Sequence, residues 1–323
     1  MKMLRKMLVL AVLAGSMQCA MAEYPEKPIK IVLPYPPGGG GDVVIRTLQP
    51  AVEKRLGQSI IVDYRPGAAG NIGMTEVIKA APDGYTLVLA PTNNFVINQF
   101  LFKTMGFDPL TAFAPVTMLV ENPYLVTVSA AVPAQTFADF AAYARANPGK
   151  LNFGSPGNAT VPHLSGLMVS DHLGARMVHV PYRGAQPGLQ ALITNDVQMF
   201  IASYGIVVPY LTSGKARALA VSGNERLRAL PAVPTAAEAG LPAGILFSNW
   251  WGLAAPRGTA AAVVSRLAQE FRAAAQDPEI RKKFLDQGAI AINNTPAEFA
   301  DQMRIEAQAW KNIIERTGAK LDN

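Results

Sequence analysis

The sequence predicts an α/β protein of two lobes, each a mainly parallel sheet flanked by helices, joined by two crossovers of the chain. Three observations carry that expectation. Short β-branched runs alternate with segments of helical apolar spacing, the signature of a parallel sheet covered by helices. The strands run into loops of glycine, proline and small polar residues. Beyond Pro256 the pattern is helical only, at about Ala260 to Ala275, Pro278 to Asp286 and Pro296 to Thr317. Helices without a sheet of their own must cover one built earlier, so the first lobe is expected to be discontinuous. The chain should leave it near residue 124 and return near residue 247, giving lobe I as residues 23–124 and 248–323 and lobe II as residues 125–247.

Ile29 to Leu33 reads as a strand running into Pro34-Tyr35-Pro36-Pro37-Gly38-Gly39-Gly40-Gly41. Asp42 is positioned to cap the next segment, where Val43, Val44, Ile45, Leu48, Val52 and Leu56 keep helical spacing up to a stop at Gly57. Ile60 to Val62 is the second strand, Arg65 to Asn71 a loop, and Ile72 to Ala80 a helix. Thr86 to Ala90 is the third strand and ends in Pro91-Thr92-Asn93-Asn94. Strands at Phe113 to Leu119 and Tyr124 to Ser129 lead to a helix at Phe137 to Ala146. A second unit repeats the scheme: a strand at Leu151 to Phe153, the loop Gly154 to Thr160, a helix from Val161 to Leu173, and a strand at Met177 to Val180 entering Pro181-Tyr182-Arg183-Gly184. A helix at Gly188 to Ile193, strands at Val197 to Ile201 and Ala216 to Val221, and a strand from Phe247 to Pro256 complete the reading.

Composition narrows the function. The 323 residues carry 29 Lys+Arg against 23 Asp+Glu, three His and one Cys. Residues 1–22 read as a secretory signal, with Lys2, Arg5 and Lys6 before an apolar stretch and a small-residue site at Ala20-Met21-Ala22. Without that segment 26 basic side chains face 23 acidic ones. A surplus so small, with no cluster of Lys and Arg, argues against nucleic acid as a partner. The single cysteine, Cys19, leaves with the signal, which excludes a thiol nucleophile, a disulfide or a thiolate metal site in the mature chain. The expectation is a soluble exported protein.

Catalytic patterns are missing. His163 and His172 fall on opposite sides of a helix, and no His/carboxylate grouping has ligand spacing, so the three histidines, with His179, are read as structural and no metal or cofactor is expected. Ser155 sits in Gly-Ser-Pro-Gly, where proline removes the N–H that an oxyanion hole would use. Gly67 to Gly73 reads G-x-x-G-x-x-G, not the dinucleotide fingerprint, and no Walker lysine follows a glycine run.

The loops are suited to anions. Gly38, Gly39, Gly40 and Gly41, then Gly70 with Asn71, then Ser155, Gly157, Asn158 and Thr160, each precede a helix whose first N–H groups have no partner within it. Glycine lets the backbone come close to a ligand. Thr92, Asn93 and Ser203 add polar side chains at strand ends, and Arg183, beside Gly184, is the one cation expected near the cleft, where its guanidinium can grip a carboxylate. Trp250, Trp251, Phe95 and Tyr35 are read first as core aromatics, although Tyr35, Phe95 and Trp250 leave room for an aromatic acid.

At these residues the chain resembles the Bug, or TctC, family of solute receptors for tripartite tricarboxylate transporters. The resemblance runs through Tyr24-Pro25 to Asp42, Asn71-Ile72-Gly73, Pro82 to Leu87, Gly154-Ser155 to His163-Leu164, His179 to Gly184, Gly214-Lys215 to Val221 and Trp251 to Pro256. It implies a type II-like, two-lobed periplasmic binding protein, expected to be a monomer. Such a receptor closes on a small mono- or dicarboxylate, without catalysis, and delivers it to membrane permease subunits. It also implies carboxylate contacts from Tyr35 to Gly41, Gly70, Asn71, Thr92, Ser155 to Thr160, Arg183 and Gly184. Two departures stand out. Arg183 replaces the lysine common in the family, and Ile201-Ala202-Ser203-Tyr204 lacks the acidic residue common nearby, which disfavours an amino-acid ligand. The alternative is a secreted α/β enzyme acting on a small acid.

Overall fold

The computed structural model describes residues 24–158, 160–223, 225–242 and 248–318; the expected signal at 1–22 and Phe247 lie outside the described residues. Strands β1 (Ile29–Leu33), β2 (Ile60–Tyr64), β3 (Thr86–Pro91), β4 (Phe113–Asn122), β10 (Asn249–Pro256) and β11 (Ile290–Ala291) form one sheet in the order β11-β4-β10-β3-β1-β2. Strands β5 (Tyr124–Ser129), β6 (Asn152–Ser155), β7 (Val178–Pro181), β8 (Met199–Ser203) and β9 (Ala216–Val221) form a second in the order β7-β6-β8-β5-β9. Both sheets are mixed, which corrects the expectation of mainly parallel ones. β1 pairs in parallel with β2 and β3, and β6 with β7 and β8, whereas β10 is antiparallel to β3 and β4, and β5 to β8 and β9. The antiparallel members β4, β5 and β10 flank the two crossings at Asn122-Pro123-Tyr124 and before Asn249. A chain that leaves one sheet and re-enters it from the other cannot hold the direction that a βαβ repeat imposes.

The helices are α1 (Gly40–Leu56), α2 (Asn71–Ile78), α3 (Phe137–Ala146), α4 (Val161–Leu173), α5 (Ala185–Ile193), α6 (Tyr204–Thr212), α7 (Ala261–Ala275), α8 (Pro278–Asp286) and α9 (Pro296–Thr317), with shorter turns between. Of the strands and helices just named, two were not anticipated. α6 is apolar with an internal Pro209, which masks its helical period, and β11 adds a two-residue strand where only helices were expected. Asp42 is not the cap of α1. The helix begins at Gly40 behind Gly39, and the Asp42 carboxylate in its first turn accepts the Gly38 N–H at 2.9 Å and the Tyr64 hydroxyl at 2.7 Å.

One apolar core runs behind both sheets. Trp250 stacks on Phe95 at 5.8 Å and meets Phe299 of α9 edge-on at 5.3 Å. Further along α9, Trp310 and Ile313 join the same cluster as Leu164 and Met168 of α4, and Arg316 pairs with Asp171. Helix α9 therefore ties the lobes together.

Glu306 of α9 lies in this region. Its carboxylate accepts the Trp250 indole N–H at 2.8 Å and the Gln302 amide at 2.9 Å. Burial, with a smaller contribution from Glu121, nevertheless raises its pKa from 4.5 to about 7. A raised carboxyl favours the fold below its ordinary pKa, and that contribution is lost as pH climbs through about 7. Glu306→Gln is therefore expected to be more stable than the parent at pH 8 by about 2–3 kcal/mol and nearly equal to it at pH 5. Urea unfolding at the two pH values checks this, and an equal effect at both would refute it.

Candidate functional site

Parallel α/β sheets form a crevice where successive connections leave on opposite faces, at the carboxyl ends of the strands. In the first sheet that point lies between β1 and β3; in the second it lies between β6 and β8. Loops from these strands bound a cleft of about 550 Å³, ordinary in size for a small-molecule site. From the first sheet come Tyr35, Pro36, Pro37, Gly38, Gly39 and Gly40 after β1, Pro91 and Asn93 after β3, and Asn249 and Trp251 of β10. Pro156, Thr160, Val161 and Pro162 face them from the second sheet, with Tyr124 at the crossing.

No residue lining the cleft carries a formal charge. Its two tyrosines stay neutral, since burial pushes the Tyr35 phenol up to about 12 and raises that of Tyr124 as well. What faces the space is backbone and neutral side chains. α1 starts without a side-chain cap, and the Asp42 carboxylate of its first turn accepts the Gly38 N–H, outside the helix. Gly39 and Gly40, which line the cleft, therefore place uncapped backbone at the positive end of a 17-residue helix. α4 points its first turn in from the other lobe and is more occupied. Thr160 Oγ1 accepts the His163 N–H, Pro162 has none, and the Val161 N–H is the remaining donor. Glycine at 41 is required by proximity, since a Cβ there would stand 2.4 Å from the Trp251 ring, and one at Gly40 would sit tightly against the same ring at 3.1 Å. The start of α1 thus lies on the indole face.

Of the residues expected in the site, Tyr35, Gly38, Gly39, Gly40, Asn93 and Thr160 line the cleft, and the others stand behind or beside it. Gly41 is buried under Trp251. Gly70 and Asn71 are buried behind Tyr35, because β2 is an edge strand and its loop lies to the side of the crevice. That loop is fastened inward: the Ala69 carbonyl accepts Asn94 at 2.9 Å and Asn98 at 3.2 Å, and the Tyr35 hydroxyl donates to Asn94 Oδ1 at 2.9 Å. The same bonds hold Ala68 and Ala69 at φ of 46° and 50°, a region unfavourable to alanine. Thr92 is fully buried, its hydroxyl accepting the Trp250 N–H at 2.9 Å. Gly157 and exposed Asn158 belong to the loop after β6, Ser203 pairs with Tyr124 in the sheet, and Arg183 is exposed. Gly184 donates to the Pro156 carbonyl at 3.1 Å, which ties the Arg183 turn to the cleft wall.

The aromatic assignment changes. Phe95 and Trp250 are fully buried in the core, so they offer no shelf to an aromatic acid, and Trp251 takes that position beside Tyr35, with ring centroids 6.1 Å apart. Neighbouring residues of a strand face opposite sides, so one tryptophan had to turn from the core. Tyr124, Asn249 and Trp251 gave no motif in the sequence; their signal was their place at the ends of the crossing strands.

One catalytic pattern appears only in three dimensions. Ser155 Oγ lies 2.7 Å from His179 Nε2. The hydroxyl has no exposed surface and also contacts the Gly157 N–H and carbonyl, so it cannot meet a substrate as a nucleophile. Among the described residues no group of His, Cys, Asp and Glu could hold a metal ion, and no helix is long and apolar enough to cross a membrane.

Residues 44–319 match the family model described as the tripartite tricarboxylate transporter family receptor, TctC. The chain is similar to Protein BugT of Bordetella pertussis, 31% identical over 299 residues that cover 92% of this chain and 91% of the relative. Among solved structures it is similar to MatC from Rhodopseudomonas palustris with bound malate, at TM-score 0.71 and 32% identity, covering 90% of this chain and 100% of that one. It is also similar to an R. palustris protein with adipate, at TM-score 0.76 and 30% identity, covering 93% and 100%. A family model that spans most of the chain, together with relatives at 31% and 32% identity over nine-tenths of it, means that this chain belongs to the TctC family of tripartite tricarboxylate transporter receptors.

Proposed function

We propose that this chain is a periplasmic receptor that captures a small organic mono- or dicarboxylate between two lobes, residues 23–124 with 248–323 and residues 125–247, and hands it as a monomer to the membrane permease of a tripartite tricarboxylate transporter. The observation that carries the reading is a cleft walled by both lobes, lined by no charged side chain, with the starts of α1 and α4 facing it. Helix starts of this kind favour a carboxylate by roughly 0.3–1 kcal/mol each, and up to about 2 where partly buried. An acid reaching from Gly39 and Gly40 to Thr160 and Val161 would hold the lobes together. The malate and adipate in two related structures support this ligand class. Arg183, on the turn tied to Pro156, is assigned to the mouth of the cleft, where closure would bring its guanidinium to the acid. Catalysis has no part in this reading: the serine–histidine pair of Ser155 and His179 is sealed, and capture needs no bond to be made.

A thermal-shift panel of malate, succinate, adipate, citrate, glutamate and benzoate tests the ligand class. At a hundred times its Kd a cognate acid is expected to stabilise the fold by about 2.7 kcal/mol, a rise of several degrees in Tm, and to be recovered unchanged. A response to a sugar or cation and to none of the acids would overturn the ligand class; turnover of a bound acid would restore the enzyme alternative.

A further inference from the structure

Behind the second-lobe wall of the cleft, three rings stand in a row. The parallel pairing of β6 with β7 sets His179 against Phe153, and the period of two along β6 puts Ser155 on the same face as Phe153. The His179 ring stacks on Phe153 at 4.9 Å and on His163 of α4 at 4.0 Å, each at 27°. A ring held on both faces cannot turn, so Nε2 is fixed 2.7 Å from Ser155 Oγ.

That hydroxyl accepts the Gly157 N–H at 3.2 Å and lies 3.0 Å from the Gly157 carbonyl. The carbonyl already receives the Thr160 hydroxyl at 2.8 Å. A serine has one proton to give: it serves the Gly157 carbonyl when His179 donates from Nε2, and it serves His179 Nε2 when the imidazole carries its proton on Nδ1, so in either tautomer one hydrogen bond joins the ring to the hydroxyl. Burial, helped by the neighbouring His163, lowers the His179 pKa to about 4, so the ring is uncharged throughout the neutral range. The loop that this bond holds has Gly157 at φ 146°, and its Pro156 and Thr160 line the cleft.

We infer that His179 is a positioning residue for ligand capture: through Ser155 Oγ it fixes the loop carrying Pro156, Gly157 and Thr160, and with it the start of α4, against the cleft. The clamp stands on geometry alone; its effect on affinity rests on the receptor reading above.

His179→Leu, His179→Gln, Ser155→Ala and the Ser155→Ala/His179→Leu double variant test it, with amide exchange at Gly157 read without ligand and affinity read by calorimetry with whichever acid of the panel the parent binds. His179→Leu is expected to speed Gly157 exchange about tenfold and to weaken acid binding about tenfold, the loss of one hydrogen bond to the loop. His179→Gln, whose amide reaches the same hydroxyl, should recover most of both. The double variant should bind no more weakly than Ser155→Ala. Parental exchange in His179→Leu, or a glutamine variant as impaired as the leucine one, would overturn the inference. Should His179→Leu fail to fold, Ser155→Ala against His179→Gln decides by the same readings: a faster Gly157 amide in the first alone supports the clamp, and equal rates reject it. A parent that binds no acid ends the receptor reading, and the exchange series still judges the clamp.

Discussion

Gly41→Val is expected to lose acid binding by more than about a hundredfold while costing about 1–3 kcal/mol of stability. A Cβ at position 41 would meet the Trp251 ring at 2.4 Å and Leu33 at 2.8 Å. Leu33 is core and cannot yield, so the indole must move. Trp251 is surrounded by core except where it borders the cleft, and Tyr35 closes one of its flanks. The only free direction is into the space that the acid would fill. Gly39→Ala separates displacement of the indole from the mere loss of a glycine, and is expected to keep the parental stability. Its nearest neighbour would be the Pro36 carbonyl at 3.5 Å, an ordinary contact, and its φ of −80° suits any residue. Calorimetry with a bound acid of the panel, beside a circular dichroism melt, reads both variants. Parental affinity in a folded Gly41→Val would remove this cleft from consideration as the binding site.

Trp250→Ala is expected to be the most destabilising single change, at about 3–5 kcal/mol, a large share of the 5–15 kcal/mol typical of a folded domain. The ring is 1% exposed and packed between Phe95 and Phe299. Truncation opens a cavity where the first sheet meets α9 and removes the indole donor from Glu306, leaving a half-satisfied carboxyl in the interior. Trp250→Phe should cost less, since it keeps most of the packing and loses only the N–H. Urea midpoints of the two variants provide the check, and a loss below about 1 kcal/mol for alanine would show that the core closes around the gap. Trp251→Ala, one residue on, should cost less stability and more affinity, because the two side chains belong to opposite faces of one strand.

That pair shows where a sequence stops being readable. Alternation along β10 requires the two tryptophans to point apart, and nothing local says which side is core. The glycine loops pose a similar limit. Three of them precede helices and look alike as strings, yet the loop after β1 borders the cleft while the loop after β2 is pinned inward by Asn94 and Asn98. Only the order of strands separates them, since β1 lies inside the sheet and β2 is an edge. Ser155 and His179 are 24 residues apart and share no motif spacing; they become partners through the pairing of β6 with β7. Asp42 was legible as a carboxylate at a helix start, but its exact place in the first turn depended on the glycines folding into the helix.

The sequence by itself determined the alternation of strand and helix, the return of the last helices to the first sheet, and the glycine-rich character of the strand-end loops, because these follow from local periodicity and from what each residue's backbone permits. Tertiary structure alone decided that both sheets are mixed, which loops meet, which tryptophan faces the ligand space, and that a histidine stands behind the wall. Those outcomes depend on pairings between segments far apart in the chain, and strand order, unlike helical period, leaves no local trace in the residues that obey it.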